Sequence, residues 1–176
     1  MSAPSPFAPS PLGPFTELAD LPALLPRRGR LLGLDLGEKT IGLALSNSDL
    51  TLASPLRTIR RRKFTEDAMI LEELCREREV AGLVVGLPLN MDGSEGRRAR
   101  STRQFARNLI EIAGFRLPVA LWDERLSTAA VERFLVEEAD MSRRRRGEVV
   151  DKMAAAYILQ GALDSLPRDR PAPDRA

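Results

Sequence analysis

Asp35 interrupts the apolar run Leu31-Leu32-Gly33-Leu34-Asp35-Leu36, is followed by Gly37, and leads into a second apolar run, Thr40-Ile41-Gly42-Leu43-Ala44-Leu45. On a strand the side chains alternate, so Asp35 shares a face with Gly33, and Leu32, Leu34 and Leu36 share the other. A carboxylate near the middle of a sheet is costly unless a cation, a basic side chain or several N–H donors compensate its charge. Gly33 and Gly37 leave room beside it, which suits a phosphate better than a packed core. Two later acidic positions, Asp123-Glu124 and Asp151, could complete a set of carboxylates around a metal. Taken alone, Asp35 could equally be a solvent-facing residue at a strand end.

The chain has no histidine. That removes Ser-His-Asp and Cys-His catalysis, His-based zinc sites and imidazole acid–base chemistry. Its one cysteine, Cys75, makes neither an intrachain disulfide nor a Cys-rich metal site. Any catalysis must therefore rest on carboxylates, hydroxyls, Arg, Lys and bound metal. Carboxylates suit Mg²⁺ or Mn²⁺, and a pair of such ions can activate water and stabilise a leaving oxygen in phosphodiester hydrolysis. Asp35, the Asp123-Glu124 pair and Asp151 are the oxygen donors the chain could offer such ions, with Asp35 expected to bridge them. Adjacent strand residues point to opposite faces, so at most one of Asp123 and Glu124 enters such a site unless the strand has ended.

The elements that must position these residues are legible in the pattern. Strands are predicted at Leu31–Leu36, Thr40–Ser46 and about Ala53–Ile59, joined by turn residues as an antiparallel meander. A helix over Thr65–Arg78 follows, then a strand over Val80–Gly86 and a loop from Gly86 to Gly93. The remaining elements are a helix over Ser94–Ala113, a strand over Val119–Trp122 and a helix over Thr128–Glu138 with Thr128 as N-cap. The last helix spans Glu148–Leu163, with Val150, Met153, Ala154 and Tyr157 inward. The order βββαβαβαα makes the fourth and fifth strands parallel to the first. Asp35 then lies on the central strand and Asp123-Glu124 at the carboxyl end of a parallel one, where ligands gather in open α/β sheets. Residues 1–29, dense in proline, are expected to form a flexible arm with at most a short helical turn around Thr16–Leu25. Residues 30–166 form the domain, and 167–176 a disordered tail.

Four motifs together resemble the YqgF/RuvX family: Leu34-Asp35-Leu36-Gly37-Glu38-Lys39, Val85-Gly86-Leu87-Pro88-Leu89-Asn90-Met91-Asp92-Gly93, Asp123-Glu124-Arg125-Leu126-Ser127-Thr128 and Val150-Asp151-Lys152-Met153-Ala154-Ala155. The resemblance runs from about Leu31 to Leu166. It implies a ribonuclease H-like fold, a five-stranded mixed sheet of order 3-2-1-4-5 flanked by helices. It further implies a nuclease that matures the 5′ end of 16S ribosomal RNA, in a family earlier suspected of resolving Holliday junctions. Asp35, Glu124 and Asp151 would be the catalytic carboxylates and metal ligands, with Asp123 an alternate or neighbouring ligand. Asn47 stands where many relatives carry Asp.

Substrate contacts are expected from Lys39 after its glycine turn, from Asn90 in the loop before Gly93, and from Arg125. Arg100, Arg103 and Arg107 are expected to add a basic helical face. Two further basic clusters lie at Arg57/Arg60/Arg61/Arg62/Lys63 and Arg143–Arg146. Aromatic residues make up 5% of the chain, which favours phosphate-backbone over base recognition. The leading expectation is a Mg²⁺- or Mn²⁺-dependent ribonuclease acting on pre-16S RNA in ribosomal precursor particles. A junction resolvase acting on branched DNA would need a dimer. A non-catalytic RNA-binding protein on the same fold is the reading from another class, and an ATP-binding module would need a second domain. The chain reads as cytoplasmic, without a membrane span, and as a monomer or homodimer.

Overall fold

A computed structural model of the protein describes residues 14–126 and 143–167. Strands β1 (Arg30–Leu36), β2 (Thr40–Ser46), β3 (Ala53–Arg60), β4 (Val80–Leu87) and β5 (Val119–Asp123) form one sheet in the order β3-β2-β1-β4-β5. The short turns after β1 and β2 return the chain antiparallel. The helices α2 (Phe64–Glu77) and α3 (Arg97–Glu111) lead into β4 and β5, which run parallel to β1. This is the five-stranded mixed sheet expected of a ribonuclease H-like fold, with Asp35 on its central strand.

Alternation along the strands builds two cores. Leu32, Leu34, Leu43, Leu83, Val85 and Val119 pack on one face with Leu71 of α2 and Phe105 and Leu109 of α3. Leu31, Ala44, Val84 and Ala120 pack on the other with Ala155, Leu159 and Ala162 of the long C-terminal helix α4 (Arg143–Ser165). Asp35, in phase with Leu31, therefore opens onto the α4 face.

Helix α4 begins before the expected Glu148, and its buried residues are Ala155, Ala156, Ile158, Leu159, Ala162 and Leu163. Val150, Met153, Ala154 and Tyr157, expected inward, are half-buried. The cause is a close backbone approach. A Cβ on Gly42 would lie 1.9 Å from the carbonyl oxygen of Asp151, so that residue starts the sheet-facing stripe and sets the helix phase. Helix α3 starts at Arg97, later than the expected Ser94, because the Ser94 N–H and hydroxyl donate to Asp92 Oδ1 at 2.9 and 2.5 Å. The expected helix over 128–138, with its Thr128 cap, lies outside the described residues, as do residues 1–13 of the arm and 168–176 of the tail.

The expectation that all of residues 1–29 stand apart as a flexible arm is corrected for 14–29. Phe15 is buried in the α2/α3 core, and Leu21, in the short helix α1 (Leu21–Leu24), is buried in the α4 core. Between them the Thr16 N–H donates to the Val119 carbonyl at 2.8 Å, so this strap lines the outer edge of β5. Proline density set the expectation, whereas two large apolar anchors decide the outcome. Deleting residues 1–28 should therefore remove about 3–6 kcal/mol of burial and lower the melting temperature by roughly 10 °C or more. Thermal unfolding of the truncated protein checks this.

Candidate active site

Asp35 pairs across the sheet with Gly42 of β2, and the β1–β4 register ends at Leu34 opposite Val85, one residue before Gly86. Asp35 is thus flanked on both neighbouring strands by glycine. Each glycine admits part of another acidic residue. Over Gly42 passes the backbone of Asp151, and a Cβ on Gly86 would lie 2.7 Å from Glu124 Oε2. The three acidic residues, from β1, the turn after β5 and α4, approach one another at the carboxyl end of the central parallel strands without closing into one cluster.

Their electrostatics agree. Burial, reinforced by the charge of Asp151, pushes the Asp35 carboxyl up to about 6, while Arg98 opposes the rise. Burial and then the charge of Asp35 push Glu124 up to about 7, again opposed by Arg98. The Thr40 hydroxyl donates to Asp151 Oδ2 at 2.6 Å and holds that carboxylate at the site.

Asp123 takes no part in this convergence. It follows Leu121 on the α2/α3 face, whereas Ala120, Trp122 and then Glu124 are in phase on the α4 face. Both Asp123 oxygens accept from Arg125, Oδ2 from Nη2 at 2.6 Å and Oδ1 from Nε at 3.0 Å, and this pairing holds its carboxyl below the usual range. Its pairing with Arg125 sets Asp123 apart from Asp35, Glu124 and Asp151.

Oxygen donors of this type suit a hard divalent cation, and mutual repulsion among them favours one. Among the described residues no three acidic or cysteine side chains are already gathered into an ion-holding cluster. The fit therefore lies in donor chemistry and in the raised Asp35 and Glu124 carboxyls.

The sequence matches the family model described as "RuvX: Holliday junction resolvase" over residues 29–165. The chain belongs to the RuvX family. A relative from Rhodospirillum rubrum is 61% identical over 158 residues, covering 90% of this chain and 97% of its own, and is named "Putative pre-16S rRNA nuclease". Relatives from Rhodospirillum centenum (60% identity, 89% of this chain and 85% of the relative) and Phenylobacterium zucineum (59%, 85% and 96%) carry the same name. The solved structure "T. thermophilus RuvC in complex with Holliday junction substrate" aligns with 77% of this chain and 93% of its own, at 15% identity and TM-score 0.49. That likeness is too loose to bear on activity.

In this RuvX-family chain the expected substrate residues divide. Lys39 is exposed in the β1–β2 turn beside the site, and Arg100 is exposed with Nη1 donating to the Glu95 carbonyl at 3.2 Å. Arg107 is half-buried on the same helix. Arg103 is occupied, because its guanidinium pairs with Glu95 and lies 5.8 Å from the Phe15 ring centroid. It fastens the strap. Asn90 is occupied as well, with Nδ2 donating to Ser94 Oγ at 3.0 Å. Arg125, bound to Asp123, also donates from Nη1 to the Met91 carbonyl at 3.2 Å, so it braces the loop after β4.

Sequence reading missed Thr40, and it placed Arg98 and Arg60 only within broad basic clusters without singling them out. Arg98 sits seven residues before buried Phe105, on the sheet-facing side of the first turn of α3, a helical-phase signal that was available. Arg60 pairs with Thr40 across the β2–β3 ladder and so shares its face.

The raised carboxyls set a pH dependence of stability. Folded Asp35 and Glu124 hold protons that the unfolded chain releases from about pH 4 upward. Stability should therefore fall as pH rises from roughly 4 through 7. In chelator the melting temperature should climb as pH is lowered from 7.5 to 5, with Asp35 alone contributing about 1–3 kcal/mol. Mn²⁺ at pH 7.5 should recover the loss, and a pH-independent melting temperature would contradict the burial of these groups.

Proposed function

We propose that this protein is a divalent-cation-dependent nuclease that hydrolyses phosphodiester bonds at the 5′ side of precursor 16S ribosomal RNA, in the cytoplasm. The observation that carries the proposal is the convergence of Asp35, Glu124 and Asp151 around two glycines at one edge of the sheet. The names of the relatives near 60% identity support the RNA substrate. No described helix is long and apolar enough to cross a membrane.

Asp35 would hold Mg²⁺ or Mn²⁺ from the centre, with Glu124 and Asp151 on either side. Bound as a pair, such ions supply Lewis acidity and a nucleophilic water at neutral pH. Thr40 fixes the orientation of Asp151 through its hydrogen bond. Arg98 places a positive charge beside the carboxylates where a phosphate would arrive, and a guanidinium suits that role better than an ammonium. Exposed Lys39, Arg60 and Arg100 extend positive charge around the site and would neutralise backbone phosphates.

The test is cleavage by the purified full chain of a pre-16S RNA carrying its 5′ extension and, in parallel, of a four-way DNA junction, each with Mn²⁺ and with EDTA. Shortening of the RNA only with Mn²⁺ is expected. Paired symmetric cuts in the junction with the RNA untouched would replace this reading with the resolvase that the family description names.

A further inference from the structure

We propose that Met91 is a substrate-positioning residue, an apolar wedge that packs against an unstacked nucleobase beside the scissile phosphate. The proposal deepens the nuclease reading and rests on it for the identity of the substrate. Met91 is 91% exposed, on the loop between β4 and α3. Isolated exposed apolar residues are ordinary on protein surfaces. This one is distinguished by how it is held and by what surrounds it.

The polar groups of the loop are turned inward to fix its shape. The Asn90 N–H donates to the Ser94 carbonyl at 2.9 Å, and the Gly93 N–H donates to the Asn90 carbonyl at 2.8 Å. Gly93 adopts φ +86°, a left-handed conformation that glycine tolerates without strain. Asp92 accepts both the N–H and the hydroxyl of Ser94. From outside, Arg125 donates to the Met91 carbonyl while bound through its other nitrogens to Asp123. Arg125 directly follows Glu124, so the bracing arm springs from the catalytic edge itself. The backbone at Met91 is tied down, and its exposed side chain sits on the loop that leaves β4 at the carboxyl end of the sheet.

A methionine side chain is unbranched and polarisable, and it makes favourable contacts with aromatic rings. Nucleobases are aromatic rings, and apolar wedges including Met are a recurrent means of holding a base out of its stack. The protein has few other means of doing so. Among the described residues no aromatic side chain is exposed, since Phe15 and Phe105 are buried and Phe64, Phe115, Trp122 and Tyr157 are partly covered. The ligand class is a base freed from stacking where a duplex meets single strand.

The experiment uses an RNA hairpin with a short single-stranded flank, with 2-aminopurine placed in turn at each unpaired position. Binding is followed by fluorescence in the full chain carrying Asp35→Asn, with the Met91→Ala and Met91→Leu variants made on that background. A fluorescence change at one position is expected, lost with Met91→Ala and kept with Met91→Leu, at an unchanged melting temperature and salt slope. With Asp35 restored, Met91→Ala should lower kcat/KM on the same RNA about tenfold or more. The same fluorescence change with Met91→Ala, or no change at any position in the parent, would overturn the proposal. A Met91-dependent signal in a protein that cuts nothing with Mn²⁺ would uphold the wedge and refute the nuclease reading, whereas cleavage unaffected by Met91→Ala would refute the wedge alone.

Discussion

Asp35→Asn should lower phosphodiester hydrolysis about 10³-fold or more, corresponding to the several kcal/mol that metal-assisted charge stabilisation supplies. The fold should persist. Asparagine is nearly isosteric with aspartate and removes a charge whose burial is costly, so the metal-free protein should melt higher at pH 7.5 than wild type. Nucleic-acid binding should be retained or strengthened, because one negative charge leaves the surface that meets phosphate. Activity and melting temperature should thus move in opposite directions, a signature that a merely structural role for Asp35 would not produce. Rate measurements in Mn²⁺ together with thermal unfolding in chelator check both halves.

Among single substitutions, Gly42→Ala should have the largest effect on stability. The added Cβ would meet the backbone carbonyl of Asp151 at 1.9 Å, and a helix backbone cannot move aside as a side-chain end can. The cost should be about 3 kcal/mol or more, with α4 displaced from the sheet and Asp151 carried away from Asp35. Gly86→Ala makes a useful contrast. Its Cβ would meet Ile158 Cδ1 at 2.6 Å and Glu124 Oε2 at 2.7 Å, both ends of flexible side chains. Stability should fall less there, yet activity should drop because Glu124 must turn out of the site. Melting temperatures and kcat of the two variants, measured side by side, separate these outcomes, and a wild-type melting temperature for Gly42→Ala would contradict the close approach of α4.

The sheet order was legible because it follows from simple periodicities, whereas the grouping of Asp35, Glu124 and Asp151 came from the motif resemblance. A period of two places Asp35 opposite the leucines of its own strand, and it separates Glu124 from Asp123 once the strand is known to reach Asp123. Short turns and helical crossovers then dictate which strands run parallel. Residues whose role depends on a partner far along the chain were harder to read. Asn90 and Arg103 looked free to meet phosphate, but Ser94, Glu95 and Phe15 claim them, and nothing in spacing alone reveals such claims. Thr40 looked like the first residue of a strand, yet it orients Asp151 from 111 positions away. The strap at Phe15 and Leu21 was hidden by its prolines, which forbid regular structure without preventing two apolar anchors from reaching the core. The stripe of α4 was misplaced because alanine, the residue that lets a helix lie close to glycines, is a weak hydrophobic signal beside Val150, Met153 and Tyr157.

The most direct measurement of the central claim is Mn²⁺ binding at pH 7.5, by titration calorimetry on the full chain, for wild type, Asp35→Asn, Glu124→Gln, Asp151→Asn and Asp123→Asn. Wild type should bind, and each of the first three substitutions should weaken binding at least tenfold. Asp123→Asn, which only loosens the grip of Arg125, should leave it within a few-fold of wild type. Equal affinity in all five proteins, or a loss confined to Asp123→Asn, would contradict a metal centre built from Asp35, Glu124 and Asp151.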